Sequence, residues 1–118
     1  MKMRMWEVEP RVLCRNHLLG EHCEMHMFAG TLAKGKSVAG YVRTGLVIVD
    51  MIGERHNDLA TEMERRGYRH SWDKALRGYE LSEETLTKHR LSQSFDHEKS
   101  LQELLSRCPL CREGWEHG

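Results

Sequence analysis

A helix-forming segment without a polar side is the feature that most constrains the fold of this chain. The spacing predicts a start at Pro10 or Val12, because proline suits a first helical turn, and an end near Lys34, because Gly35 is a typical stop. Within it, the stretch NHLLGEHCEMHMF distributes apolar and ionisable residues around the whole helix. Since a helix buries its apolar residues, some of the ionisable groups must lie near the core.

Four residues of this segment share one stripe, since His17, Gly20, Glu21 and Glu24 are spaced three or four apart. Glycine, where a helix favours alanine, leaves room for a group to approach the backbone. A partly buried glutamate has a raised pKa and can exchange protons near neutral pH. The stripe is consistent with a solvated charged face and with the wall of an active site.

The rest of the chain predicts three further helices. One ends at the basic pair before Gly67, one opens at Ser82, and the last is capped by Asp96 and ended by Pro109. Residues 35–47 are predicted to form a loop, and residues 68–81 are predicted to be irregular. Weak strand signals are limited to residues 41–43 and 46–49. The predicted fold class is mainly α, with residues 1–118 forming a compact single-domain bundle of about three main helices and long irregular connections.

The length, net charge and amino-acid composition of the chain restrict the functions that it can have. The 118 residues favour one modest core. Lys plus Arg and Asp plus Glu each number 18, and this neutral charge argues against broad electrostatic binding of nucleic acid but allows a local basic groove.

No apolar run reaches the length of a membrane span, and the start lacks a signal-peptide core, so we expect no membrane partner and a cytoplasmic location. The 8 histidines keep metal binding open.

Four pieces of sequence carry a resemblance to a known family. MRMW, NHLLGEHCEMHMF, AKGKSVAGY and ERHNDLATEMERRGY follow one another in the family's order and spacing, and HEKSLQELLSRCP matches more weakly. In these pieces the chain resembles the pyrimidine-dimer DNA glycosylases of the bacteriophage endonuclease V type. The resemblance implies a compact helical protein, monomeric and without a required cofactor, that excises a damaged pyrimidine from double-stranded DNA and then nicks the strand as an AP lyase. A UV dimer is the family's expected lesion, but an alkylated, oxidised or hypermodified base is equally compatible with a catalytic carboxylate and an amine.

The resemblance also implies roles for individual residues. The family's catalytic carboxylate matches Glu24, and its nucleophile is the N-terminal α-amine, which aligns with Met3 rather than Met1. The amine therefore comes from Met3, or from Met1 if the two additional residues still reach the site. An α-amine has an ordinary pKa of about 7.7–8.0, against about 10.4 for lysine, so a useful fraction is nucleophilic at neutral pH. The candidate DNA-binding residues are Arg4, Asn16, His17, Glu21, Lys36 and Arg43.

The pair Cys108 and Cys111 departs from the family, which has an aromatic, basic tail there. A single C-x-x-C is half of a four-ligand zinc site, and Cys14 with His17 would supply a second half on one helix face. A structural zinc would compensate for a small core. The alternative is that the thiols are reduced and bind no metal.

Two further functions compete with the enzyme. A non-catalytic DNA-binding protein on the same scaffold would account for the offset N-terminus and the neutral charge. A small zinc-binding protein is the other alternative, and its ligands would be drawn from His17, Glu21, Glu24, His22 or His26 together with Cys108 and Cys111.

Overall fold

The computed structural model describes residues 3–70 and 81–117, and these residues are largely helical without any strand. This confirms the mainly α class, and α1, α3 and α5 are the three longest helices. Short 3₁₀ helices lie at Pro10–Val12 and Val49–Met51. The α-helices of the described residues are α1 (Arg15–Ala33), α2 (Ala39–Arg43), α3 (Ile52–Arg65), α4 (Glu83–Arg90), α5 (His97–Arg107) and α6 (Pro109–His117).

Helix α1 begins later than the sequence predicts. Pro10 opens a separate 3₁₀ turn, Leu13 is extended, and Cys14 then caps α1 by accepting a hydrogen bond from the His17 backbone N–H at its Sγ. The end agrees with the prediction, because Gly35 follows α1 with a φ of 78°, which glycine adopts without strain.

The core forms where α1 crosses α3. Apolar residues along α1 are buried, and they form one cluster with Ile52 and Leu59 of α3. Leu104 of α5 and Cys111 of α6 join the same cluster. The buried apolar residues of α1 and of the segment just before it include Leu13, Leu18, Met25, Phe28 and Leu32.

The N-terminal segment runs through this core rather than over its surface. Met5 is fully buried, and its backbone N–H donates to the Leu46 carbonyl over 2.7 Å. The carbonyl of Trp6 accepts a 2.6 Å hydrogen bond from Ser100 Oγ on α5. Residues 5 and 6 are therefore held in place by contacts on two sides.

Three predictions about local structure need correction. The segment predicted as a loop at 35–47 contains α2, and the weak strand signals form no strand in the part of the chain that the structure describes. The helix capped by Asp96 does end directly before Pro109, at Arg107, but it is not the last helix: Pro109 opens α6, because its fixed φ and missing N–H suit a first helical turn. Most of the segment predicted irregular at 68–81 lies outside the described residues.

The predicted starts of α4 and α5 are confirmed. Ser82 Oγ accepts from the Thr85 backbone N–H over 3.1 Å, and Asp96 Oδ1 accepts from that of Lys99 over 3.0 Å. Among the helices of residues 3–70 and 81–117, none combines the length and the apolar character that crossing a membrane requires. That residues 1–118 form one domain stays a prediction.

Candidate functional site

Glu24 lies beside the N-terminal segment. Its Oε1 accepts a 2.6 Å hydrogen bond from the backbone N–H of Arg4, the residue that follows Met3. The carboxylate therefore lies next to the peptide bond that joins Met3 to Arg4. Burial raises the pKa of Glu24 above its usual value, and the hydrogen bond from Arg4 partly opposes this shift. The predicted catalytic carboxylate and the predicted terminal residue are thus neighbours in space although they are far apart in the sequence.

The Arg4 side chain holds this segment in place. It is buried, and its guanidinium donates to Glu103 Oε2 and Ser100 Oγ of α5, both over 2.9 Å. The same group lies 3.8 Å from the ring centre of Trp6. The structure therefore gives the Arg4 side chain internal partners, and its predicted contact with DNA stays a prediction.

Glu21 faces the interior, as the lack of a polar side on α1 indicates. The carboxylate is 2 % exposed and accepts two hydrogen bonds from Arg55, of which the Nη2–Oε1 bond is 2.9 Å long. Arg55 also donates from Nη1 to the Val8 carbonyl over 2.7 Å. Burial disfavours the charged guanidinium, but the hydrogen bonds and charge of Glu21 outweigh it, so the pKa of Arg55 lies above its usual value.

Replacement of Arg55 by methionine should destabilise the fold by about 3–5 kcal/mol, because it leaves the Glu21 carboxylate buried and unpaired. Denaturant unfolding of the variant measures this loss. The Arg55→Met/Glu21→Leu double variant should recover part of it, and Arg11→Met, at an exposed position, is the matched control. A loss for Arg55→Met no larger than that of the control would contradict the structural role.

Gly20 leaves open space next to Glu24. A Cβ at this position would lie 3.9 Å from Glu24 Oε2, which is ordinary contact, and no other atom of the described residues comes within 4 Å. The N-terminal segment, as far as it is described, therefore does not use this gap. An approaching DNA backbone is one candidate occupant.

Gly20→Ala should stabilise the protein by up to about 1 kcal/mol, because alanine is the better helix former and its Cβ fits. If DNA approaches the gap, the same variant should slow strand nicking on damaged duplex. Thermal unfolding and nicking rates on one preparation measure both effects. A stabilised variant with the parent nicking rate would show that the gap is not used.

The four predicted metal ligands lie together. Cys14, His17, Cys108 and Cys111 each offer a ligand atom, and these atoms all lie within 4.8 Å of one another. The Sγ atoms of Cys14 and Cys108 are 3.8 Å apart, and His17 Nδ1 lies 3.2 Å from the Cys14 sulfur and 3.6 Å from the Cys111 sulfur. This thiol cluster joins the start of α1 to the start of α6.

Backbone groups surround the thiol cluster. The Cys14 N–H donates to Cys111 Sγ over 3.2 Å, and the Cys111 N–H donates to Cys108 Sγ over 3.4 Å. Hydrogen bonds from backbone N–H groups favour negative charge on sulfur. The Trp6 ring packs edge-on against His17, with ring centres 5.8 Å apart, and thus fixes one side of the imidazole.

The other two histidines of α1 belong to a second cluster, which the sequence did not predict. His22 and His26 pack against His56 of α3 and His70, so they do not share a site with Cys108 and Cys111. Burial and, after it, the three neighbouring imidazoles lower the pKa of His22 to about 4. A zinc site that combines His22 or His26 with the two C-terminal cysteines is therefore wrong.

The remaining candidate DNA contacts are exposed. Asn16 lies in the first turn of α1, Lys36 follows that helix, and Arg43 ends α2. Exposed cationic and amide side chains of this kind can bind phosphate groups. Their contact with DNA stays a prediction.

A comparison with known families identifies the chain's relatives. The sequence profile of the family described as pyrimidine dimer DNA glycosylase matches residues 3–76, which is more than half of the chain. The chain belongs to this family. The matched region includes Met3, Arg4 and Glu24. Cys108, between α5 and α6, and Cys111, in α6, lie beyond it. No curated protein and no solved structure gives a significant match to the chain.

Membership in the pyrimidine dimer DNA glycosylases confirms the predicted resemblance and associates the chain with DNA repair. Sequence reasoning missed Arg55, which pairs with Glu21, and the partners His56 and His70. The spacing of His22 and His26, four residues apart, was a usable signal, because such a pair on one helix face is a common metal-binding arrangement.

Proposed function

We propose that this protein is a DNA repair glycosylase with AP-lyase activity, and that it excises a damaged pyrimidine through a Schiff base on its N-terminal α-amine. The observation that carries the proposal is the 2.6 Å hydrogen bond between Glu24 Oε1 and the Arg4 backbone, because it sets a carboxylate next to Met3. Membership in the pyrimidine dimer DNA glycosylase family supports the choice of substrate. A UV dimer is the proposed lesion.

In the proposed reaction the α-nitrogen lone pair forms a bond to the sugar C1′ while the bond between C1′ and the damaged base breaks. The base leaves with the bonding electrons and takes up a proton. Loss of the proton from nitrogen and opening of the sugar ring give an iminium ion, and β-elimination then breaks the bond to the 3′ phosphate. Glu24 stabilises the positive charge that develops on the sugar, as carboxylates do in glycoside hydrolysis.

The proposed position of the amine is Met3, the first residue of the family region. Arg4 acts as a positioning residue, because its guanidinium fixes the backbone whose N–H contacts Glu24. Met1 supplies the amine only if its two additional residues bring the nitrogen to the same place. A misplacement of about 1 Å can cost about 100-fold in rate, so the two positions are not equivalent.

Binding to double-stranded DNA is proposed through Asn16, His17, Lys36 and Arg43, with the damaged nucleotide turned out of the helix as glycosylases require. Because the chain is neutral, we expect few contacts with DNA phosphates. The dependence of the binding affinity on salt concentration should be set by the number of these contacts. We propose that the protein acts as a monomer in the compartment that holds its DNA substrate, the cytoplasm.

We also propose that the thiol cluster holds a structural zinc ion. A tetrahedral ion with Zn–S bonds of about 2.3 Å and Zn–N bonds of about 2.0–2.1 Å needs sulfur atoms about 3.8 Å apart and sulfur–nitrogen distances of about 3.6 Å. The distances of 3.8 Å between Cys14 and Cys108 and 3.6 Å between Cys111 and His17 fit this geometry, and the 3.2 Å between the Cys14 sulfur and His17 Nδ1 must lengthen slightly. Four protein ligands leave no open position, so the ion would link α1 to α6 rather than take part in catalysis.

The function is tested with three labelled duplexes: one with a single cyclobutane pyrimidine dimer, one undamaged, and one with an abasic site. We expect nicking of the first and third and none of the second. Nicking of the abasic duplex alone would remove the glycosylase step from the proposal. Binding of the duplexes without nicking, and without preference for the damaged one, would favour the non-catalytic DNA-binding protein, which has lost lesion specificity.

A further inference from the structure

A second group of potential metal ligands does not include Glu24 and shares no residue with the thiol cluster. His22 and His26 stand one turn apart on α1, His56 projects from α3, and His70 follows α3. One ring nitrogen from each of the four lies within 4.8 Å of all the others. Three separate parts of the chain thus direct imidazoles at one point.

The contacts within this histidine cluster are those of converging ligands. Nε2 of His26 and Nε2 of His56 are 3.0 Å apart, and the centre of the His22 ring lies 4.7–4.9 Å from the centres of the other three. His22 Nε2 is enclosed, and none of the described residues gives it a hydrogen-bond partner. A buried nitrogen without a partner costs about 1–3 kcal/mol, so a packed cluster of neutral rings alone does not explain this arrangement.

A neighbouring side chain orients one of the rings. His56 is fully buried, and its Nδ1 lies 2.9 Å from Asn57 Oδ1. An amide oxygen accepts the proton on Nδ1, which leaves the Nε2 lone pair of the same ring directed into the cluster. Metal-binding histidines commonly donate their second nitrogen to an oxygen in this way, because the contact fixes both tautomer and ring orientation.

We infer that His22, His26, His56 and His70 form a four-coordinate site for a divalent transition metal ion, zinc in the first instance. Imidazole nitrogen suits zinc, nickel and copper, and no carboxylate or backbone oxygen belongs to this ligand set, which disfavours magnesium and calcium. Tetrahedral Zn–N bonds of about 2.0–2.1 Å place the nitrogens about 3.4 Å apart, and the 3.0 Å pair needs only a small adjustment.

A metal ion at this site would stabilise the structure and would not take part in catalysis. All four positions around the ion are filled by protein, so no position is open for a substrate or a water molecule. The ion would fix His70, which follows the last turn of α3, onto the pair α1 and α3. The inference does not depend on the proposed glycosylase activity.

Metal analysis of untagged protein, purified without added metal, tests the inference. We expect about two equivalents of divalent transition metal per chain for the parent and about one for His22→Gln/His26→Gln, in which two half-exposed ligands are replaced. The matched control is His97→Gln/His117→Gln, at two exposed positions on α5 and α6, and it should keep the parent content. Equal metal content in the ligand variant and the control would overturn the inference.

A second measurement does not require any variant to fold. A thiol-blocking reagent added to the native parent should release the metal of the thiol cluster, and the metal of the histidine cluster should leave only after unfolding in acid. The expected release is therefore about one equivalent in each step, read with a chelating dye. Release of all bound metal by the thiol reagent, or no metal left for the acid step, would overturn the inference.

Discussion

Glu24→Gln should lower the rate of base release from a dimer-containing duplex by at least about 100-fold while DNA binding stays nearly unchanged. Removal of one preorganised group that stabilises transition-state charge costs about this much in other enzymes. The amide keeps the shape of the side chain, and its oxygen can still accept the hydrogen bond from the Arg4 backbone. Single-turnover base release and a binding titration on the same duplex measure the two quantities.

Loss of fold would not explain this result. The charge of Glu24 is partly buried, and the neutral amide removes its desolvation cost, so the Tm should be equal to or above that of the parent. Glu54→Gln, at an exposed position on α3, is the matched control and should keep full activity. Base release by Glu24→Gln at the parent rate would show that Glu24 is not catalytic.

Cys108→Ser/Cys111→Ser should remove about one zinc equivalent per chain and lower stability by several kcal/mol. Structural zinc contributes about 10–16 kcal/mol to the folding of small zinc-finger peptides, and here the core around Leu104 retains part of the fold without it. Cys23→Ser is the matched control, because Cys23 is an exposed cysteine outside the thiol cluster. Zinc content and thermal unfolding are measured for all three proteins.

A chelator provides the complementary experiment on the parent protein. Removal of zinc should lower the Tm of the parent and leave the Tm of the double variant much less affected. A parent that contains no metal, and whose Tm does not respond to the chelator, would contradict the zinc site. The three cysteines of the thiol cluster would then be reduced thiols, and His17 would bind no metal.

The sequence predicted the part of the site that depends on helix periodicity. The absence of a polar side on α1 indicated that some charge would be buried, and Glu21 is buried. Likewise, the C-x-x-H of Cys14 and His17 was the one pattern that complemented C-x-x-C, and the structure brings the two together. That these residues bind zinc stays a prediction.

The contacts missed by the sequence analysis join residues that are distant along the chain. Arg55 meets Glu21 across the α1–α3 interface, and Arg4 meets Glu103 on α5. No spacing rule connects such positions, because tertiary packing alone sets their distance. Helix α6 was missed for a local reason: proline both ends helices and begins them, and Pro109 does both at the junction of α5 and α6.

Borohydride trapping on abasic duplex tests the central claim, that an N-terminal amine beside Glu24 does the chemistry. Two forms of the protein are compared, one with its α-amine on Met3 and one with it on Met1, and peptide mapping finds the modified nitrogen. We expect the Met3 form to trap DNA on its α-nitrogen and the Met1 form to trap more slowly, with Lys2→Ala showing whether that side chain contributes. If neither form traps under conditions in which a known lyase does, the Schiff-base account is wrong.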